Sequence, residues 1–228
     1  MVSPIVVDID GTLTRPNVDV SPAPIDPRVF DPLYRWPDTV ILATGKAFPF
    51  PVALGQFIGL ERTVIAENGG LACVGNELNQ IGDGAAARAV EEAMADRGHP
   101  STVDQLGFIN RWRETEVAFT RDVPFDVLDE VATEHGLHVV DTGYAYHVKD
   151  ATVTKGRALE WVVDQLDRPI KSFVAIGDSI NDVSLFDRVG TSFAVANADG
   201  DARAAADHVT VAGYAPGLIE ALEQIRDR

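Results

Sequence analysis

Four short apolar runs, each ending in a polar or glycine-bearing turn, constrain this chain more than any other feature. They are Pro4-Ile5-Val6-Val7 before Asp8-Ile9-Asp10-Gly11, Thr39-Val40-Ile41-Leu42-Ala43 before Thr44-Gly45, Thr63-Val64-Ile65-Ala66 before Glu67-Asn68-Gly69-Gly70, and Ser172-Phe173-Val174-Ala175-Ile176 before Gly177-Asp178. Runs this short and this continuously apolar are the pattern of strands buried on both faces, as in a parallel sheet covered by helices. Helical periodicity lies between or after them, at residues 154–166, 181–188 and 216–225. Strands alternating with helices predict an α/β fold with a Rossmann-like, doubly wound parallel sheet. In such a sheet the ligand crevice lies beyond the carboxyl ends of the strands, where the four polar turns would gather.

The middle of the chain breaks this rhythm. A helix is expected at residues 85–97, an alternating strand around Glu116-Val117-Ala118-Phe119-Thr120, and a second helix at 125–135. Two further strands, 137–141 and 144–148, are joined by Thr142-Gly143 in what reads as a tight hairpin. Residues 82–149 are therefore expected to form a smaller α+β domain inserted into a core made of residues 1–81 and 150–228. The stretch from Pro16 to Pro37 reads as a long loop or a helix entered late.

Charge narrows the partners. The 228 residues include 35 acidic against 19 basic side chains, a net charge of −16, which has the wrong sign for neutralising nucleic-acid phosphates. The basic residues are 15 Arg and only 4 Lys, and an acidic, Lys-poor surface suits high salt, where screening shortens self-repulsion. An ordinary acidic cytosolic protein is the plainer alternative. Cys73 is the only cysteine, which excludes a disulfide framework and a thiolate metal site, and the five His lack metal-helix spacing. With no basic leader and no apolar run of membrane-spanning length, a soluble cytoplasmic protein is expected, with a homodimer left open.

Two clusters carry the chemistry. Asp8-Ile9-Asp10-Gly11-Thr12 places two carboxylates at a strand end, and the chain must turn at Gly11 before both can serve one site. Gly177-Asp178-Ser179-Ile180-Asn181-Asp182 offers two more acids at another strand end, and together these make an all-oxygen cluster of the kind that holds Mg²⁺. Lys155 opens a helix, where a cation opposes the macrodipole and is better explained by an anion it must meet. Lys46, after Thr44-Gly45, reads equally as a solvated or a functional side chain. Pro49 and Pro51 are an unusual start for the helix expected after that turn, although proline is tolerated in a first turn.

The ordered set Asp8-x-Asp10-x-Thr12, Thr44, Lys155 and Gly177-Asp178-x-x-x-Asp182 resembles the four motifs of the haloacid dehalogenase superfamily of phosphohydrolases, over nearly the whole chain. The insert resembles that superfamily's larger α/β cap, and Glu67-Asn68-Gly69-Gly70 and Ala194-Val195-Ala196-Asn197-Ala198 resemble its cap-bearing phosphatases. Within it, the short cap and Gly177-Asp178-Ser179-x-Asn181-Asp182 are most similar to archaeal phosphoglycolate phosphatases.

The resemblance implies a Mg²⁺-dependent phosphomonoesterase acting on a small phosphorylated metabolite, 2-phosphoglycolate or alternatively a sugar phosphate. It implies Asp8 as nucleophile and Asp10 as general acid and base. Asp8, the Asp10 carbonyl, Asp178 and Asp182 would hold the metal, and Thr44, Lys155, Gly45, Gly11 and Thr12 would hold the phosphate. A carboxylated substrate would require a cation from the cap, with Arg111, Arg113, Arg121, His147 and Lys149 as candidates, although each alone is more simply paired with a surface acid. A receiver-like phosphoryl switch shares clustered Asp, Thr and Lys, but not the length, the insert or the Asp8-x-Asp10 spacing. A dehalogenase leaves Asp10 and the metal acids without a role. Because an anionic surface slows encounter with a phosphate ester at low salt, turnover is expected to rise with ionic strength. A titration with KCl checks this, and full activity and stability without salt would contradict the salt-adapted reading.

Overall fold

In the computed structural model, residues 2–16, 23–101, 110–141 and 145–227 are described. Their strands are β1 (Ile5–Asp8), β2 (Val40–Ala43), β3 (Thr63–Ala66), β4 (Leu71–Val74), β5 (Glu77–Gln80), β6 (Val117–Phe119), β7 (His138–Asp141), β8 (Tyr146–Lys149), β9 (Val174–Gly177), β10 (Thr191–Ala194) and β11 (His208–Val209). Eight form one sheet in the order β11-β10-β9-β1-β2-β3-β4-β5, with β1 near its centre. Side chains alternate across a strand, so Ile5 and Val7 face one side while Val6 faces the other, and both sides are covered. Ile5 and Val7 pack with Leu13, Leu33, Leu218 and Leu222, whereas Val6 packs with Leu159, Val162, Phe173 and Leu185. Each such side chain contributes about 1.5–3 kcal/mol by leaving water, so the four apolar runs become the innermost layer.

The sheet is parallel from β11 to β3, as the doubly wound reading expects, and β4 and β5 extend it with an antiparallel edge. The cause is local. Glu67 (φ 52°), Asn68 (φ 54°) and Gly69 (φ 102°) are consecutive left-handed residues that reverse the chain directly after β3. At Gly69 this conformation is compounded by close approach, since a Cβ there would lie 2.2 Å from the Thr154 carbonyl oxygen.

The helices follow the expected periodicity with adjusted ends. Pro49 opens the helix Pro49–Ile58, as its fixed φ allows at a first position. Lys155–Gln165 is capped by Thr154, whose hydroxyl accepts the Arg157 N–H at 3.1 Å. Tyr214–Arg226 begins two residues before the expected start, where Asn197 Oδ1 accepts the Tyr214 N–H. Residues 181–188 are not one helix. A 3₁₀ turn, Ile180–Asp182, precedes the helix Val183–Phe186, because the Asp182 carboxylate takes the Asp178 and Ser179 N–H groups and tightens the turn.

β6, β8 and β7 form a second, antiparallel sheet in that order, lying in sequence between β5 and Lys155. Ala87, Val90 and Met94 of the helix Gly84–Asp96 and Leu128 and Val131 of Phe125–Glu134 close an apolar cluster over Phe119 and Val148. The Thr142-Gly143 turn lies outside the described residues, as does part of the Pro16 to Pro37 stretch, whose remainder carries the helix Phe30–Tyr34. Among the described residues no helix is long and apolar enough to cross a membrane.

The Gly69→Ala substitution combines a left-handed φ with a main-chain clash, so it is expected to cost about 2–4 kcal/mol of unfolding free energy. Urea unfolding of the two proteins measures it, and an unchanged midpoint would contradict the packing described.

Candidate active site

Asp8 is the last residue of β1, and the chain turns immediately beyond it at Gly11 (φ 81°). A Cβ on Gly11 would lie 2.0 Å from Asp178 Oδ2, so glycine permits the loop after β1 to meet the loop after β9. Carboxylate oxygens of Asp8, Asp178 and Asp182 thereby come within 4.8 Å of one another. Lys155, fully buried at the start of its helix, reaches across the sheet to Asp8 Oδ1 at 2.6 Å and Asp182 Oδ1 at 2.7 Å. It also donates to Asn181 Oδ1 at 3.2 Å. The anion that offsets its opposition to the helix dipole is thus a pair of carboxylates of the chain itself.

Burial and crowding act against these charges. Burial raises the Asp8 carboxyl well above its ordinary value, with Lys155 opposing the rise and Asp182, Asp178 and Asp10 adding to it. Asp178 is pushed up to about 7, first by burial and then by the Asp182 charge. Burial would lower the Lys155 ammonium, but Asp182 and Asp8 outweigh it and hold it above its usual range. One lysine beside three carboxylates leaves an excess of negative charge, and Asp8 Oδ2 is buried without a hydrogen-bond partner. An all-oxygen donor set with an unpaired acceptor fits a hard divalent cation.

Asp10 lies outside this trio, near enough for its charge to act on Asp8 and Asp178. Its partly exposed carboxylate pairs with Lys46 Nζ at 2.9 Å, and Thr44 Oγ1 lies 3.4 Å from its other oxygen. Lys46 is therefore in the crevice, a point its sequence context left even. Thr44 is buried at the end of β2 and accepts the Lys46 N–H, while Thr12 Oγ1 lies 3.4 Å from Asp178 Oδ1. Gly45 lies against Asn68, whose Oδ1 would be 2.9 Å from a Cβ there.

Above this floor sits a buried polar cluster from the segment before β6 and from β8. Glu116 accepts Asn68 Nδ2 at 2.9 Å on one oxygen, and on the other His147 Nδ1 at 2.9 Å and Arg113 Nη1. Arg113 Nη1 also donates to the Gly45 carbonyl at 2.9 Å. Glu67 secures the same segment, taking the Glu114 and Thr115 N–H groups and the Thr115 hydroxyl. Of the five candidate cap cations, Arg113 and His147 join this cluster, and Lys149 is buried beside it with Nζ on the Val153 carbonyl. Arg121 pairs instead with Asp141 at 2.9 Å on the surface, and Arg111 is exposed. Glu116 was missed, because in a chain with 35 acids no local pattern distinguishes the one that is buried.

Burial would raise the Glu116 carboxyl, but His147 and Arg113 overcome it and hold it at about 2. Its folded value lies below the unfolded one near 4.3, so the stability from its charge is complete above about pH 5 and is lost as pH falls towards 2. This amounts to about 3 kcal/mol. Glu116→Gln is expected to flatten the acid limb of stability against pH by roughly half of that amount between pH 7 and 3, measured by urea unfolding. An unaltered slope would contradict the pairing.

Comparison with known proteins places this geometry. A family model described as haloacid dehalogenase-like hydrolase matches residues 128–222. The chain is 52% identical to a Natronomonas pharaonis protein named phosphoglycolate phosphatase, covering 100% of this chain and 99% of that one. It is 34% identical to one of the same name from Methanothermobacter thermautotrophicus, covering 96% and 97%. Among solved structures, Thermoplasma acidophilum 0175 superposes with a TM-score of 0.85 at 24% identity over 99% of both chains. A haloacid dehalogenase-like hydrolase from Bacteroides thetaiotaomicron superposes at 0.78 with 21% identity, over 99% and 100%. With the four motifs converging on one crevice and whole-length relatives at this identity, the chain belongs to the haloacid dehalogenase-like hydrolases.

Proposed function

We propose that this hydrolase is a Mg²⁺-dependent phosphomonoesterase that converts 2-phosphoglycolate to glycolate and phosphate. The observation that carries the reading is Asp8, with one oxygen anchored by Lys155 and the other buried and unpaired. The relatives named phosphoglycolate phosphatase support the choice of substrate. Asp8, Asp178, Asp182 and the Asp10 carbonyl would hold Mg²⁺, which when bound offsets the repulsion between an anionic nucleophile and an anionic phosphate.

The remaining chemistry belongs to the side chains. The Asp8 carboxylate forms a bond to phosphorus as the ester P–O bond breaks, and Asp10 gives its proton to the departing glycolate oxygen. Asp10 then removes a proton from the water that attacks the aspartyl-phosphate, releasing phosphate and restoring Asp8. Thr44 and Lys155 hold the equatorial phosphate oxygens, assisted by main-chain N–H groups at Thr12 and Gly45, while the Gly11 N–H is taken by Thr14 Oγ1 at 3.0 Å and Gly11 serves by letting the loop turn. Lys46 restrains Asp10 in the crevice at 2.9 Å. Residues 82–149 act as a cap over a core of residues 1–81 and 150–228, with the Glu67 and Asn68 contacts as its seat.

Phosphate release from 2-phosphoglycolate is expected to require added Mg²⁺ and to cease with chelator. Asp8→Asn is expected to lower turnover by about 10³-fold or more while leaving the fold intact. Discontinuous phosphate assays with circular dichroism check both, and an Asp8→Asn protein that kept most of its turnover would overturn the mechanism.

A further inference from the structure

Among the described residues two buried side-chain polar atoms lack a hydrogen-bond partner, Asp8 Oδ2 in the floor and Arg113 Nε in the roof. One is an acceptor and the other a donor on a cation. A buried N–H without an acceptor is costly, more so when charged, so it persists where a ligand supplies the missing acceptor. We infer that Arg113 is the specificity-determining residue that receives the substrate's carboxylate. This rests on the phosphoglycolate reading and names the group that recognises the non-reacting end.

The position of Arg113 favours that role. Its side chain is 5% exposed and is fixed through Nη1, which donates to Glu116 Oε1 and to the Gly45 carbonyl. Gly45 adjoins Thr44, so the guanidinium sits beside the loop assigned to the phosphate. Its Nε–Nη2 edge presents two parallel donors, the fork that binds a carboxylate through both oxygens.

The neighbouring groups are otherwise engaged. Glu116 is saturated, with Oε2 taken by Asn68 and Oε1 shared between Arg113 and His147. It therefore orients the guanidinium through Nη1 without engaging Nε. Lys149 Nζ is held by the Val153 carbonyl, and Arg121 is drawn to Asp141 at the surface. In a chain of net charge −16, a cation set this close to the phosphate loop is what a short ligand, anionic at both ends, requires.

The test compares 2-phosphoglycolate with 2-hydroxyethyl phosphate, in which a neutral CH₂OH replaces the carboxylate. kcat and KM are measured for the Mg²⁺-loaded wild type, Arg113→Lys and Arg113→Gln, with circular dichroism confirming folding. Arg113→Lys keeps the charge facing Glu116 and so guards against loss of fold in the glutamine variant. In both variants the ratio of kcat/KM for 2-phosphoglycolate over 2-hydroxyethyl phosphate is expected to fall about tenfold or more, chiefly through the KM for 2-phosphoglycolate. Equal losses on both substrates, or a ratio unchanged in Arg113→Lys, would overturn the assignment. A wild type that prefers 2-phosphoglycolate and keeps that preference in both variants overturns this inference alone. A wild type with no such preference overturns the substrate reading along with it.

Discussion

The site depends on a single buried cation. Lys155 has no exposure to water, and its ammonium is held by carboxylates from two strand ends, Asp8 after β1 and Asp182 after β9. Charges taken out of water are tolerated only when paired and hydrogen-bonded, so the two loops and the helix start must meet in one arrangement. That arrangement fixes Asp8 Oδ1 and leaves Oδ2 to the crevice. The pairing is therefore less a source of stability than a means of orienting one carboxylate.

From that lysine a hydrogen-bonded line runs into the roof. Lys155 donates to Asn181, Asn181 Nδ2 donates to Asn68 at 3.1 Å, and Asn68 donates to Glu116. Every step donates in the same direction, from the buried cation of the larger sheet towards the buried anion beside the smaller one, and aligned donors polarise one another. The left-handed conformation of Asn68 has a cause in this line, since it lets one side chain face Asn181 and Glu116 at once. The same reversal of the chain at Glu67, Asn68 and Gly69 starts the antiparallel edge β4-β5. A backbone irregularity thus serves the sheet and the site together.

Much of this was legible beforehand. The continuous apolar runs gave the strand positions because burial on both faces demands apolar residues at every position, and the polar turns marked the crevice because strand ends converge there. Asp8, Asp10, Thr44, Asp178 and Asp182 stand out for that reason, and Lys155 for being a cation at a helix start. The antiparallel edge was not legible, since the apolar-run pattern marks no strand at residues 71–74 or 77–80 and the reversal there is set by three φ values. Nor was the break at Asp182, whose carboxylate turns inward to cap its own loop.

The sequence by itself determined the alternation of strand and helix, the order of the acidic and basic motifs, and the excess of negative charge that made a buried lysine informative. These are local properties, written in residue type and spacing. The tertiary structure alone decided which charges meet. Lys155 and Asp8 are 147 residues apart, and Asn68 and Glu116 are 48 apart. Glu116, one of 35 acids, differs from the others only in the water it has lost and in Arg113, His147 and Asn68 that replace it. Desolvation and pairing belong to the packed chain, so no spacing rule along the sequence encodes them.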